Sequence, residues 1–264
     1  MYHSISDEPE TGHPYYWLNT SPKRFYEHMK FLKDNGYKVI SLSEAVKIIS
    51  NAPELKKPNK LNQPDEPKQP DQPKYAVLTF DDGYRDFYTT AWPILSQFGF
   101  PVTVFLPTGF IGGSFKKKEC LSWSDVRELH RRNVSFGSHT VNHPQLHGLS
   151  WKDIELELGN SKKAIEDQLG AYVVDFSYPY AYPDADKAFC KRLASTLWEC
   201  GYTHCVTTRL GSSSHGDDVL SLRRMPVNDS DDPFLFKAKL KGSYDWLGIM
   251  QRFLKALKRN GYLI

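Results

Sequence analysis

From residue 75 onward the chain repeats one pattern: a short apolar run, a loop, then a stretch with helical spacing. The apolar runs cover residues 75–80, 101–106, 134–137, 173–178 and 203–207. Between them, residues 86–98, 122–131, 151–169 and 184–197 read as helices. In the longest, Ile154, Leu158, Ile165 and Leu169 fall on one face, as an amphipathic helix requires. Strands that alternate with helices imply an α/β fold with a parallel sheet or barrel.

The region before residue 75 adds elements to that unit. Ser21 and Pro22 suit an N-cap and the first helical position. Phe25, Met29 and Leu32 then share a face, and Asn35-Gly36 ends the helix. Residues 37–40 read as a strand, and Ser41 with Glu44 forms a capping-box pattern before Ala45, Val46, Ile48 and Ile49. Residues 51–74 break the pattern: Pro53, Pro58, Pro64, Pro67, Pro70 and Pro73 alternate with polar residues. Such a segment holds neither a helix nor a central strand, so an exposed, extended insertion is expected. The piece before it is too small for its own core, and the 264 residues are read as a single domain, 1–264. Residues 244–258 read as an amphipathic closing helix.

Charge and composition exclude several classes. With 34 basic and 31 acidic residues the net charge is +3, too small a bias for a nucleic-acid binder. The run Lys116-Lys117-Lys118 reads as a solvated loop. No run of about 18 apolar residues exists to span a membrane, and residues 1–8 lack a leader's basic and apolar regions; a cytoplasmic protein is expected. Cys120, Cys190, Cys200 and Cys205 form no C-x-x-C pair and read as isolated thiols. Oligomeric state is not readable.

The chemistry-bearing residues sit where strands end. Asp81-Asp82-Gly83 directly follows the run 75–80, and α/β folds place their sites at the carboxyl ends of parallel strands. Adjacent carboxylates there are expensive unless a cation or a function holds them. Gly83 would permit a tight turn. The alternative is a loop whose aspartates cap the next helix. His139-Thr140-Val141-Asn142-His143 follows the run 134–137. A spacing of four would place both imidazoles on one face of a helical turn, which suits a shared metal. Two histidines and one aspartate make a site with open positions, for which zinc is the natural ion. Ser177-Tyr178-Pro179-Tyr180 closes a third run and by itself says little.

Thr79-Phe80-Asp81-Asp82-Gly83, Ser138-His139-Thr140-Val141-Asn142-His143 and Phe176-Ser177-Tyr178-Pro179-Tyr180 together resemble the three motifs of the polysaccharide deacetylase family, the NodB homology domain of carbohydrate esterase family four. The resemblance implies a distorted (β/α) barrel of about seven parallel strands. It implies metal-dependent hydrolysis of an acetamide on an N-acetylated sugar or polysaccharide, releasing acetate. Asp81 would then be the general base, and Asp82, His139 and His143 the ligands of a divalent metal, zinc foremost. The Tyr180 backbone N–H would hold the oxyanion. Pro179 would fix that turn, and both would line the substrate site. Three features depart from the pattern, one of them Ala181, where the family has a glycine. The family places an arginine where this chain has Ser177, and Arg224 is the candidate to replace it. The late histidine that supplies the general acid is missing. However, Tyr2-His3-Ser4-Ile5 resembles the start of the circularly permuted branch that includes poly-N-acetylglucosamine deacetylases, which makes His3 the candidate acid. An amidohydrolase acting on a small cyclic amide, or an inactive sugar-binding module on the same fold, are the competing readings.

Overall fold

The computed structural model describes residues 1–14, 17–51, 73–248 and 250–251. The insertion expected at 51–74 falls almost wholly outside them, as does most of the closing helix expected at 244–258. Among the described residues twelve strands occur in chain order: β1 (Ser4–Ile5), β2 (Asn19–Thr20), β3 (Tyr37–Val39), β4 (Lys74–Ala76), β5 (Thr79–Phe80), β6 (Thr103–Leu106), β7 (Ser114–Phe115), β8 (Lys118–Glu119), β9 (Ser135–Ser138), β10 (Asp175–Ser177), β11 (His204–Leu210) and β12 (Leu222–Arg224). The α-helices are α1 (Pro22–Asp34), α2 (Leu42–Asn51), α3 (Trp92–Phe98), α4 (Trp123–Arg131), α5 (Trp151–Leu169), α6 (Lys187–Glu199) and α7 (Pro233–Leu240).

Six strands form one sheet in the order β12-β11-β10-β9-β6-β5, and every neighbour pair is parallel. The spatial order follows the chain order, so each crossover advances the sheet the same way and the sheet curls into a barrel wall. Its two edges are joined by Met1 and Tyr2. Tyr2 N–H donates to Thr79 O (2.8 Å) and Asp81 N–H to Tyr2 O (3.0 Å). On the other side Met1 N donates to Met225 O (2.9 Å), and Val227 N–H to Met1 O (2.9 Å). Both sets follow the parallel ladder pattern. In place of the expected seven or so strands, the wall is a curled parallel sheet of six whose edges are bridged by this two-residue seam.

The seam is locked on its helix-facing side by aromatic rings. Tyr2 stacks on Phe80 at 5.3 Å and meets Phe25 edge-on at 5.1 Å, and Phe87 meets Phe80 at 4.9 Å. All four rings are buried, each contributing about 1.5–3 kcal/mol of apolar transfer. Phe25 comes from α1, whose start is fixed by Pro22 and by Ser21 accepting from Arg24 N–H. Gly137 in β9 has no alternative: a Cβ there would lie 2.5 Å from the Phe105 ring and 2.8 Å from Asp175 O.

Local differences from the sequence reading have physical causes. The run 75–80 is two strands: β4 pairs with β3 in a separate two-stranded sheet, and β5 belongs to the barrel. Tyr75 is accordingly exposed. The helix expected over 86–98 begins as a π-helix, Phe87–Ala91, before α3. Pro93 lacks the N–H that regular α-helical bonding would use there, and a widened turn is one answer to that loss. The helix α7 was not foreseen. Among the described residues no helix is long and apolar enough to cross a membrane, and all four cysteines are free.

One buried histidine braces the seam. His28 Nε2 lies 2.7 Å from Asp231 O, so it donates, and Nδ1 is left to accept from Tyr2 OH at 3.1 Å. Burial lowers its pKa to about 4. An unfolded histidine takes its proton near 6.5. Between these values the unfolded state binds the extra proton, so this stability is full above pH 6.5 and falls as pH drops toward 4. Denaturant unfolding at pH 7 and pH 4.5 should show wild type losing about 2–3 kcal/mol more than His28→Gln. Equal losses would refute the assignment.

Candidate metal and hydrolytic site

The carboxyl ends of β5, β9, β10 and β12 converge on one cluster. Asp81 and Asp82 follow β5, His139 follows β9, Ser177 ends β10 and Arg224 ends β12. Asp81, Asp82, His139, His143, Ser177 and Arg224 are all buried. The turn after the aspartates needs Gly83, which has φ 59° and sits where a Cβ would lie 2.9 Å from the Leu106 side chain.

The two aspartates are neutralised differently. Asp81 receives both arms of one guanidinium: Arg224 Nη1 donates to Oδ1 and Nη2 to Oδ2, each at 2.8 Å. Arg224 Nη2 also donates to Ser177 Oγ (2.9 Å), and that hydroxyl donates to Asp81 Oδ2 (3.2 Å). Arg224 Nε donates to Thr207 O (3.0 Å), which fixes the plane of the fork. Burial alone would raise the Asp81 carboxyl, but Arg224 and His139 outweigh it and hold the group well below the usual carboxylate range.

Asp82 faces the other way. Its Oδ1 is buried and has no hydrogen-bond partner. It lies 3.3 Å from His143 Nε2 and 3.6 Å from His139 Nε2. His139 Nδ1 lies 2.7 Å from Ser177 O, so Nδ1 carries the hydrogen and Nε2 turns its lone pair inward. Burial lowers the His139 pKa to about 4, against the pull of Asp81. One carboxylate oxygen and two imidazole nitrogens lie within 4.8 Å of one another. A bare anionic oxygen facing a lone pair is repulsive unless a cation joins them, and this donor set fits a divalent ion.

The histidine pair is not on a helical turn. Residues 139–143 form an irregular loop in which Thr140 and His143 have left-handed backbone, φ 70° and 52°. Thr140 Oγ1 accepts from His143 N–H at 2.9 Å. Glu157 of α5 accepts from the N–H groups of Val141 (2.8 Å) and Asn142 (2.9 Å). A side-chain carboxylate thus supplies the bonds that a helix would have made internally. Asp82 (φ 70°) and Tyr180 (φ 57°) are also left-handed, and such positions cost about 1–3 kcal/mol each and gather where a site over-determines them.

His3 follows the seam and is half-buried. Burial lowers its pKa, and the charges of Asp82 and Asp81 oppose that shift. Tyr180 is exposed, its ring 4.6 Å from His143, and its carbonyl accepts from Thr208 Oγ1 (2.8 Å); Pro179 is buried beside it. All the residues singled out from the sequence therefore gather at one end of the barrel. Sequence reasoning missed Glu157, Tyr84 and Lys116. Tyr84 OH donates to Asp82 Oδ2 at 3.1 Å. Lys116 is no mere solvated loop residue, because its Nζ lies 3.7 Å from that same oxygen. Nothing in the local pattern of 116–118 signalled this.

Fold and site together define an α/β-barrel hydrolase whose donor set suits a divalent ion. The sequence profile described as polysaccharide deacetylase matches residues 68–199. Bacillus subtilis YxkH, which carries a provisional polysaccharide deacetylase name, is 30% identical over 228 residues, covering 86% of this chain and 70% of that protein. The chain belongs to the polysaccharide deacetylase family, hydrolases of non-peptide carbon–nitrogen bonds. The poly-β-1,6-N-acetyl-D-glucosamine N-deacetylase of Escherichia coli K12 is 32% identical over 154 residues, which is 53% of this chain but 20% of that enzyme. The Streptococcus pyogenes deacetylase PplD, solved with acetate, superimposes with a TM-score of 0.69 at 26% identity, covering 90% of this chain and 95% of that one.

Removing Arg224 would leave Asp81 buried and unpaired. Arg224→Met should lower unfolding free energy by about 3–5 kcal/mol. The double variant Asp81→Asn/Arg224→Met should recover much of it. Urea denaturation of the four proteins checks both, and additive losses would contradict the pairing.

Proposed function

We propose that this protein is a divalent-metal-dependent deacetylase that hydrolyses the acetamide of an N-acetylated glucosamine-type polysaccharide and releases acetate. One observation carries the reading: the bare Oδ1 of Asp82 faces His139 and His143 directly beside an aspartate clamped by arginine. The substrate class is supported by relatives named for poly-β-1,6-N-acetyl-D-glucosamine.

Asp82, His139 and His143 would hold the ion, zinc being the best match to an oxygen and two imidazoles. When bound, it supplies Lewis-acid polarisation of the amide carbonyl and makes water a stronger acid. Asp81 takes the proton of the attacking water, and Arg224 and Ser177 keep its carboxylate ionised and aimed. The backbone N–H of Tyr180, on a turn stiffened by Pro179, receives the negative charge that develops on the carbonyl oxygen. His3 gives a proton to the departing amine, a poor leaving group without one. Burial lowers the His3 pKa, and the neighbouring charges of Asp82 and Asp81 oppose that shift. Arg224 also weakens the case for an inactive sugar-binding module, whose best support is the missing arginine at Ser177.

Acetate release from N-acetylglucosamine oligomers with added zinc tests the reading, with a chelator as control. Asp81→Asn should cut turnover by about 100-fold or more while still binding zinc. Asp82→Ala and His139→Ala should lose the metal. His3→Ala should lower kcat rather than zinc affinity. Unimpaired Asp81→Asn would remove the base assignment.

A further inference from the structure

The hairpin of β7 and β8 turns through Lys116 and Lys117, both left-handed, with φ 48° and 68°. Two-residue turns of this kind favour Asn-Gly, because other side chains are strained there. The strain places one cation over the site. Lys116 Nζ lies 3.7 Å from Asp82 Oδ2, 4.7 Å from the Phe115 ring centroid and 5.8 Å from that of Tyr180. Phe115 in turn packs 4.9 Å from the His143 ring. The Lys116 side chain is 41% exposed and that of Asp82 2%, so the ammonium reaches inward from the rim toward a buried carboxylate.

The two oxygens of Asp82 have different neighbours. Oδ1 faces the imidazoles and accepts nothing. Oδ2 accepts from Tyr84 OH and faces Lys116. We propose that Lys116 is a resident counter-cation of Asp82 that weakens and thereby tunes the site's hold on its divalent ion. The inference rests on the metal reading given under Proposed function. Tyr84 and Lys116 approach the same oxygen but act with opposite sign. The neutral hydroxyl orients the carboxylate and leaves its charge intact, which favours the ion. The ammonium orients it too, but it offsets the negative charge the ion would share and repels the ion itself. The Phe115 and Tyr180 rings give the displaced ammonium a place to rest.

Calorimetric titration of zinc into metal-stripped protein separates these effects. Lys116→Met should bind zinc about ten-fold more tightly than wild type or better. Lys116→Arg, which keeps the charge, should stay within about three-fold of wild type. Tyr84→Phe should bind about ten-fold more weakly. Added salt should narrow the gap between Lys116→Met and wild type, because the rim is open to solvent. Thermal melts in chelator establish that each variant folds, and Lys116→Gln carries the same expectation should Lys116→Met fail. Zinc binding by Lys116→Met equal to or weaker than wild type overturns the proposal alone. A wild type that binds no zinc overturns the metal reading first and the proposal with it.

Discussion

Two carboxylates side by side in a buried site are the constraint on which everything else turns. Asp81 and Asp82 are 3% and 1% exposed, and neither charge could be left bare at a few ångströms from the other. The fold answers by sending them in different directions. Asp81 is closed off by a guanidinium, a hydroxyl and the geometry of the fork. Asp82 is left with one satisfied oxygen and one that accepts nothing. What sets Asp82 apart from a closed ion pair is that single oxygen, which faces the lone pair of His139 Nε2 at 3.6 Å and lies 3.3 Å from His143 Nε2.

The same constraint ties chemistry to barrel closure. Arg224 ends β12, and the next residues, Met225 to Val227 in the ladder with Met1, form one side of the seam. The other side is the Thr79 and Asp81 backbone bonded to Tyr2. Asp81 and Arg224 therefore lie across a two-residue bridge, and His3 is the next residue along it. Closing the barrel and bringing Asp81, Arg224 and His3 to one end of it are one event. Tyr2, bonded to His28 and packed between Phe25 and Phe80, fixes that seam with apolar area rather than with further charge.

The parallel α/β architecture and the strand-end positions of Asp81 and His139 were legible from local rules, while Arg224, His3 and Tyr180 were singled out only through the resemblance. Strand-then-helix alternation, the Ser21 cap and the placement of Asp81 and His139 just past strands depend on neighbours in sequence. What escaped depends on distant groups. The spacing of His139 and His143 suggested a helical turn, yet Glu157 from α5 takes the backbone bonds and holds a left-handed loop instead. The run 75–80 read as one strand because periodicity does not reveal which partner each half finds. Lys116 reached the site through a strained turn that lysine disfavours, so propensity pointed away from it.

Ser177 shows how a motif can depart from its pattern while the carboxylate beside it keeps an arginine partner. A carboxylate base needs a guanidinium in a particular place and plane, and chain origin is immaterial to that need. Here the arginine comes from β12, two strands from β10 in the sheet order. A long side chain at position 177 would compete for the volume that Arg224 crosses to reach Asp81. Serine clears the path and also takes part: its hydroxyl accepts from Arg224 and donates to Asp81. Its carbonyl fixes the tautomer of His139. One small residue thus connects Asp81, Arg224 and the His139 imidazole, and its size is part of how it does so.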